Sequence, residues 1–276
     1  MLYQKFSPTS PLQPFVECYY VWDSESTLER EFVVESPPTG FCSIVFNYGD
    51  AYTLQNSKYK QLAVPPQFVA GQSVYSYRLF LKGHIGIAGI VLKPAALATL
   101  FQLPAFQFVE ERIPLQTVFS PLLLQPYIDK LTTGTPAEKA AVLESFVLHQ
   151  FHTQQAAPDF IDEAANRIIE TRGMLQVGDL IKDSCMSRRT FERRFFQKVG
   201  LSPKYYARIR RIGYICNLIA GKHAVNWPAV FYECEFYDQA LFIKDFEVFT
   251  GRTPQQYLAE NRELANYVQK PVQQRL

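Results

Sequence analysis

The residues of this sequence best placed to do chemistry are cations, and they are concentrated in one stretch. From Arg172 to Lys222 there are twelve Lys or Arg residues against three Asp or Glu residues, whereas the whole 276-residue chain has a net charge of only +2. The remainder of the chain is therefore net acidic. A basic block of this kind is the electrostatic signature of a polyanionic partner such as nucleic acid.

Outside that block, no residues have the spacing of a catalytic or metal centre. Of the four histidines, only His84 lies in the strand-rich part of the chain. His149 and His152 stand three apart on a predicted helix, which would permit joint metal ligation, but we interpret them as part of a solvated face. Cys18 and Cys42 have no histidine near them in sequence that would activate a thiol. We expect no catalytic residue, no metal and no cofactor.

Composition indicates a globular protein without a membrane span. Hydrophobic residues make up 47% and charged residues 20% of the chain. We find no apolar run long enough to cross a bilayer and no secretory signal at the N-terminus. The five cysteines are an odd number with no zinc-binding spacing. We therefore expect reduced cysteines and a cytoplasmic protein.

The basic stretch has the pattern of a helix-turn-helix unit. Apolar residues of Val177–Ile181 lie on one face of a first helix. Ser187 is a suitable N-cap for a second helix, in which Phe191 and Phe195 stand four apart on the buried face. Gly200 is a suitable end for that helix. In such a unit the second helix enters the major groove of DNA.

A second copy of this pattern follows. The segment FERRFFQKVGLSPKYY (191–206) resembles LFIKDFEVFTGRTPQQY (241–257), and an internal repeat of this length is unlikely to arise by chance. Further helices are predicted around the two copies, with a long helix between them. They are Asp159–Thr171, Pro203–Ala220, Trp227–Tyr232, Asp238–Phe249 and Pro254–Ala265.

The first half of the chain favours strands. Short apolar and β-branched runs separated by Pro and Gly predict a barrel or a sandwich. The predicted strands are Phe15–Trp22, Phe32–Glu35, Ser43–Tyr48, Gln67–Ala70, Tyr75–Leu81 and Ile87–Leu92, and the predicted helices are Pro94–Phe101, Pro121–Leu131 and Pro136–Phe151. The fold class is therefore α+β: a β-rich, barrel-like domain with a few helices at 1–155, then an all-α domain at 156–276 with two helix-turn-helix units joined by a long helix.

Aromatic residues are frequent in this half. They could line a small-molecule cavity at the mouth of a barrel, or they could be ordinary core residues, and the sequence leaves both interpretations open. The residues concerned are Tyr19, Tyr20, Trp22, Phe41, Phe46 and Tyr48.

The C-terminal pattern resembles the DNA-binding domain of AraC/XylS-type bacterial transcription regulators. Both units match in register over about a hundred residues. The matching residues are Leu180, Ser187, Phe191, Arg193, Phe195, Gly200, Ser202, Pro203 and Tyr206, then Phe236, Asp238, Gln239, Phe242, Phe246, Gly251, Thr253, Pro254 and Tyr257. Less sharply, Pro37–Asp50, Phe68–Gln72 and Val91–Ala95 resemble the β-rich sensor domains that precede this module in some members.

The resemblance implies which residues meet DNA. In the first unit these are Arg188, Arg189, Glu192 and Arg193, with Lys204 on the next helix. Arginine can bond two acceptors of guanine, and glutamate can accept from cytosine N4. For Glu192, an ion pair with a neighbour on its own helix remains an equal alternative. The corresponding residues of the second unit are Gln239, Ala240, Ile243 and Lys244.

The second unit departs from the family pattern towards acidity. Glu235 stands where the family usually has Gly, and Glu247 stands where it usually has Lys. From His223 to the C-terminus there are five basic and seven acidic residues. Carboxylates that face phosphate oppose DNA binding, so we expect the first unit to supply most of the affinity. In the first unit, Ile181 stands where the family prefers a small alanine.

The sequence therefore predicts a sequence-specific transcription regulator that binds double-stranded DNA. An unknown small molecule, or contacts with a partner, would control it through the N-terminal domain. A homodimer, through Phe15–Trp22 or Pro136–Phe151, and a contact with RNA polymerase are further expectations. Two alternatives stay open: an enzyme fused to a DNA-binding module, and a protein-binding module whose second unit has weakened DNA contact.

Overall fold

The computed structural model describes residues 1–260 of the chain. Its first half forms ten strands: β1 (Leu2–Phe6), β2 (Val16–Asp23), β3 (Leu28–Ser36), β4 (Cys42–Asn47), β5 (Thr53–Gln55), β6 (Leu62–Ala63), β7 (Gln67–Ala70), β8 (Tyr77–Gly83), β9 (Gly86–Leu92) and β10 (Arg112–Pro114). Six strands form one antiparallel sheet in the order β1-β2-β9-β4-β7-β10, and four form another in the order β3-β8-β5-β6. No strand of one sheet pairs with a strand of the other, so the predicted barrel is a pair of open sheets.

The larger sheet buries apolar side chains on both of its faces. Successive residues of a strand point to opposite faces, so neighbouring residues belong to different cores. On one face, Ile44 pairs with Ile90 and with Val69, and Tyr19 pairs with Ile90. These four side chains are fully buried in a core that includes residues of the helices. The next residue along, Val45, belongs to a second core, which lies between the two sheets.

Three helices cover the outer face of the larger sheet: α1 (Ala96–Phe101), α2 (Pro121–Leu131) and α3 (Pro136–Gln154). Phe146 of α3 is central, with its ring centroid 6.2 Å from that of Phe46 and 6.1 Å from that of Phe101. His149 and His152 lie exposed on α3. Within residues 1–260, no helix is both long and apolar enough for a bilayer.

The suggested dimer surface at Phe15–Trp22 is wrong. Strand β2 lies between β1 and β9, so its backbone groups are already paired on both sides. Its apolar side chains Tyr19 and Val21 are buried inside the same protomer. A second copy therefore has neither an open edge nor an apolar face to contact at this strand.

Seven helices follow: α4 (Phe160–Glu170), α5 (Val177–Asp183), α6 (Arg188–Val199), α7 (Pro203–Ile219), α8 (Trp227–Glu233), α9 (Gln239–Thr250) and α10 (Pro254–Glu260). They surround two separate cores, and α7 contributes to both. Tyr206 and Ala207 pack in the core of α4–α6, whereas Ile209, Ile212 and Ile215 pack in the core of α8–α10. The last part of the predicted helix Pro254–Ala265 lies outside the described residues.

Four strands were not predicted from the sequence, namely β1, β5, β6 and β10. The last three are only two or three residues long, too short for a visible alternation of apolar and polar residues. Each is nevertheless hydrogen-bonded to a longer neighbour. Tertiary pairing rather than local sequence therefore determines them.

Candidate nucleic-acid interface

The first helix-turn-helix unit is built from local signals in the sequence. The Ser187 hydroxyl accepts a hydrogen bond from the Thr190 amide and caps the start of α6. Gly200 ends α6 with a φ of 84°, a conformation that glycine adopts without strain. Phe191 and Phe195 are fully buried beneath the helix. These contacts fix α6 so that its opposite face points outward.

That outward face carries the predicted DNA-binding residues. Arg188, Arg189, Glu192 and Arg193 are all exposed. Arg188 and Glu192 form an ion pair at 3.8 Å, which is the alternative role considered for Glu192. Arg189 and Arg193 form no ion pair with any of residues 1–260. Their guanidinium groups are therefore free to meet a base or a phosphate.

Much of the basic stretch has a structural role instead. Arg194 pairs with Asp159, Lys198 pairs with Asp162, and Arg208 pairs with Asp245. Arg210 and Arg211 donate hydrogen bonds to backbone carbonyl groups. The count of charges along the sequence therefore overstates the number of cations available to phosphates. Lys204, on the first turn of α7, is exposed and remains available.

The second unit repeats the first, 51 positions further along, in structure as in sequence. Asp238 caps α9 by accepting hydrogen bonds from the Ala240 and Leu241 amides, and Gly251 ends it with a φ of 74°. Phe242 and Phe246 are buried in the positions of Phe191 and Phe195. The unit is thus a complete helix-turn-helix.

Its outward face differs in chemistry from that of the first unit. Gln239, Ala240 and Lys244 are exposed, whereas Ile243 is half-buried and packs against the core of its own unit. Ile243 is therefore the least accessible of the predicted contacts. Glu247 is exposed on the same helix. The exposed large apolar side chains of the second unit are Tyr232, Tyr237, Leu241 and Val248.

The turn before α9 has an unfavourable residue at its tightest point. Glu235 has a φ of 54°, in the left-handed region that favours glycine. Cys185 has the same φ in the turn of the first unit, two residues before its N-cap. In the second unit the left-handed residue stands three residues before the N-cap Asp238, so this turn is one residue longer. Ile181, the other departure, is half-buried in the core of the first unit.

The two units are held in one geometry by α7. Arg208 of α7 bonds both carboxylate oxygens of Asp245 in α9, with Nε to Oδ2 at 3.0 Å and Nη2 to Oδ1 at 2.6 Å. Asp245 is buried, and a two-point pair of this kind fixes direction as well as distance. The hydrogen bond from Arg208 to Asp245 raises the pKa of Arg208.

The first unit also contacts the N-terminal half directly. The Lys198 ammonium donates to Asp162 at 2.6 Å and to the Thr99 hydroxyl of α1 at 3.1 Å. The ring of Phe106, just after α1, stacks on the ring of Phe196 with centroids 5.8 Å apart. The inner side of the first recognition helix thus rests on α1 and on the turn that follows it.

Two further junctions hold α7 and the second unit. Gly213 of α7 lies against the carbonyl oxygen of Pro38, and Arg210 donates to the carbonyl oxygen of Thr39. At the second unit, Arg252 bonds the buried Glu35 of β3. Arg78 of β8 bonds Glu35 as well. Both units and the helix between them therefore depend on the N-terminal half for their position.

The ion pair between Arg252 and Glu35 gives a pH-dependent prediction. Burial raises the pKa of Glu35, and Arg252 and Arg78 oppose this shift. At pH values between the pKa of Glu35 in the unfolded state and its higher pKa in the folded state, only the folded state keeps the proton on Glu35. The contribution of Glu35 to the free energy of unfolding therefore falls as pH rises through this range. Arg252→Met removes one opposing cation. We expect a loss of about 2 kcal/mol near neutral pH and a smaller loss near pH 5, measured by urea unfolding.

The control for this prediction is Arg167→Met. Arg167 and Asp183 also form an ion pair, but both side chains are about half exposed. An exposed pair is worth at most about 1 kcal/mol, so this variant should unfold nearly as the parent protein does. Equal losses in the two variants, or a loss at Arg252 that does not change with pH, would contradict the role assigned to Glu35.

A cavity of about 710 Å³ lies between the two sheets and reaches α7. Its lining combines aromatic residues of the strands with cations and with residues of the C-terminal half. The lining residues from the C-terminal half are Arg172, Arg210, Gly213, Tyr214 and Asn217. The loop Ser36–Phe41 borders the cavity and also touches α7, so it connects the two.

The aromatic residues considered for a cavity divide between two faces. Tyr20, Trp22 and Phe41 line it. Tyr19 and Phe46 point to the opposite side of the larger sheet, into the core with the helices. The division follows from the alternation of side chains along a strand.

Comparison with protein families decides the nature of the helical region. Residues 180–260, which span both units, match a family described as a helix-turn-helix domain. The C-terminal region is an AraC-type helix-turn-helix domain. The chain is accordingly a DNA-binding transcription regulator. Residues 4–114 match a family described as a domain of unknown function (DUF6597).

Solved structures give a weak likeness over most of the chain. The structure of ToxT from Vibrio cholerae at 1.65 Å resolution aligns with a TM-score of 0.43 and 10% identity, over 87% of this chain and 97% of that chain. ToxT bound to an unsaturated fatty acid aligns with a TM-score of 0.45 and 10% identity, over 91% and 97%. No curated protein matches the sequence.

Within the AraC-type domain, the structure exposes most of the residues that sequence reasoning selected. The sequence did not show which cations bond groups of the protein itself, and it did not show the junctions with the N-terminal half. Glu35 and Arg252, for example, are 217 positions apart in the sequence. No local pattern could have linked them.

Proposed function

We propose that this regulator reads DNA chiefly through its first helix-turn-helix unit, in response to a small molecule bound in the N-terminal cavity. The observation that carries the proposal is the contrast between the two outward faces. The first presents the free cations Arg189 and Arg193, whereas the second presents one cation, Lys244, beside Glu247. Affinity for DNA depends strongly on the number of phosphates neutralised.

In this proposal, Arg189 and Arg193 contact guanine edges, and Arg188 and Lys204 contact phosphates. Glu192 either accepts from cytosine N4 or holds Arg188 in place through their ion pair. Gln239 and Ala240 give the second unit weak discrimination by contacts to adenine and to a thymine methyl group. A chain with this role acts in the cytoplasm, where bacterial DNA lies.

Charge reversal at Glu247 tests whether the second unit lies at the DNA and is weakened there by this carboxylate. Glu247→Lys replaces an exposed carboxylate on α9 with a cation. If α9 lies at the DNA, the variant should bind non-specific duplex more tightly, and its dependence on salt should steepen by about 0.9 for each phosphate neutralised. The measurement is fluorescence anisotropy at several salt concentrations.

The matched control is Glu29→Lys, which makes the same charge change at an exposed position of β3, outside both helix-turn-helix units. It should raise affinity much less than Glu247→Lys does. Equal increases would mean that overall charge alone is responsible, and α9 would then lie away from the DNA.

The cavity supplies the route for control by a ligand. The residues that line it include Pro38, Thr39, Arg210 and Gly213, which also form the junction with α7. A ligand that binds one arrangement of this junction better than another shifts the population of the two. The position of α7 then changes the relative placement of both recognition helices. A boundary near residue 155 separates the strand-rich part, which supplies most of the cavity wall, from the DNA-binding part.

A further inference from the structure

Aromatic rings form a large part of the wall of the cavity. Tyr3 stacks on Tyr20 with ring centroids 5.6 Å apart, and Trp22 meets Tyr3 edge-on at 5.8 Å. The wall also contains the rings of Phe41, Tyr52, Phe68 and Tyr77, next to aliphatic side chains such as Leu54 and Val64. Flat rings favour a flat, polarisable ligand through stacked and edge-to-face contacts, which an alkyl chain does not make.

A buried cation faces the same space. Arg112 of β10 pairs with Ala70 of β7, and Ala70 belongs to the core between the sheets. Residues directly opposite each other on paired strands project to the same side, so the side chain of Arg112 enters the space between the sheets. Arg112 lines the cavity and is only 9% exposed.

Arg112 has no carboxylate partner among the described residues. Its Nη1 donates to the backbone oxygen of Glu111 at 3.2 Å, and its guanidinium lies 5.3 Å from the ring centroid of Tyr77. Arg112 forms no ion pair with any of residues 1–260. A buried charge without a hydrogen-bonded counter-ion is costly, so an anion brought by a ligand would find a strong partner here.

The charge of Arg112 attracts two nearby carboxylates, Glu110 and Glu111, but their hydrogen bonds go to other groups. Glu110 accepts hydrogen bonds from the amides of Val74 and Tyr75 and from the Asn56 side chain. Glu111 pairs with Lys58 and accepts from the Tyr59 hydroxyl. Both are held by groups outside the cavity wall, and the one carboxylate in that wall, Glu17, is exposed.

We propose that the cavity binds a planar aromatic carboxylate, with the carboxylate on Arg112 and the ring between the tyrosines of the two sheets. Guanidinium and carboxylate groups match in a two-point hydrogen-bonded pair, and the remaining N–H groups of Arg112 supply it. A cavity of about 710 Å³ accommodates a ligand of one to a few rings. That this ligand controls DNA binding rests on the proposed function.

The test uses the full-length protein and calorimetry with three probes. They are indole-3-carboxylate, its neutral analogue indole-3-carboxamide, and decanoate, an alkyl carboxylate of similar size. We expect the aromatic acid to bind at least about tenfold more tightly than either of the others. Equal binding of the acid and the amide would remove Arg112 from the proposal, and tighter binding of decanoate would overturn the aromatic class.

Variants identify the anchor. Arg112→Gln should erase the preference for the acid over the amide, and Arg112→Lys should keep part of it. Arg30→Gln, an exposed change of the same kind on β3, should leave it intact. Because Arg112 forms no ion pair with residues 1–260, the ligand-free Arg112→Gln protein should resist urea at least as well as the parent. A large loss of stability would show that Arg112 has a structural role instead.

A final measurement separates this proposal from the proposed function. DNA affinity is compared with and without saturating indole-3-carboxylate. A change in affinity supports both the ligand class and its regulatory role. Binding in the calorimeter with no change in DNA affinity supports the ligand class and contradicts the regulatory role.

Discussion

Replacing both Arg189 and Arg193 with alanine should reduce affinity for the specific DNA site by about 100-fold or more. Both arginines lie exposed on α6, and neither forms an ion pair with residues 1–260. A two-point contact from arginine to guanine is worth about 1–3 kcal/mol, and two such contacts together give a loss of this size. Stability should change little, because exposed, unpaired side chains contribute little to it.

The measurement is fluorescence anisotropy with the selected duplex and with an unrelated duplex. The double variant should lose the difference between the two, and not only total affinity. The matched control is Arg30→Ala with Arg167→Ala, which removes two exposed arginines from other faces. If the control loses as much discrimination as the test variant, α6 is not the reading helix.

Gly213→Ala should destabilise the chain even though alanine favours helices. A Cβ at position 213 would overlap the backbone carbonyl oxygen of Pro38, which is not the end of a flexible side chain. Helix α7 or the loop at Pro38 must therefore move. Overpacking of this kind costs about 1–3 kcal/mol, which exceeds the gain of about 1 kcal/mol that alanine normally brings within a helix.

The control for this second prediction is Gly178→Ala. Gly178 also lies inside a helix, α5, but nothing within 4 Å would meet its Cβ. Urea unfolding should therefore show Gly178→Ala as more stable than the parent protein and Gly213→Ala as less stable. If both variants are stabilised, the contact between α7 and the N-terminal loop does not exist in solution.

The helical region could be predicted almost completely because its signals are local. Ser187 caps α6 and Gly200 ends it, as the sequence pattern predicted. Asp238 and Gly251 take the corresponding places in the second unit. The observed helix Pro121–Leu131 has the predicted bounds. Capping and helical periodicity act over a few residues, so a sequence displays them directly.

The strands, the junctions and the cavity were less predictable because they depend on distant residues. Alternation identified β7 at its observed bounds, but β5 and β6 are too short to show it. Arg112 gave no signal, since only the pairing of β10 with β7 directs it between the sheets. The count of cations also misled, because Arg208 serves Asp245 rather than DNA.

The most direct test of the account is selection of bound sequences from a pool of random duplexes by the full-length protein, at about 50 mM and about 200 mM salt. We expect one enriched motif with strongly specified guanines in one half and weak preferences in the other. The strong half should disappear when Arg189 and Arg193 are replaced. Equally strong specification of both halves would contradict the unequal roles of the two units, and no enrichment at either salt concentration would contradict sequence-specific reading itself.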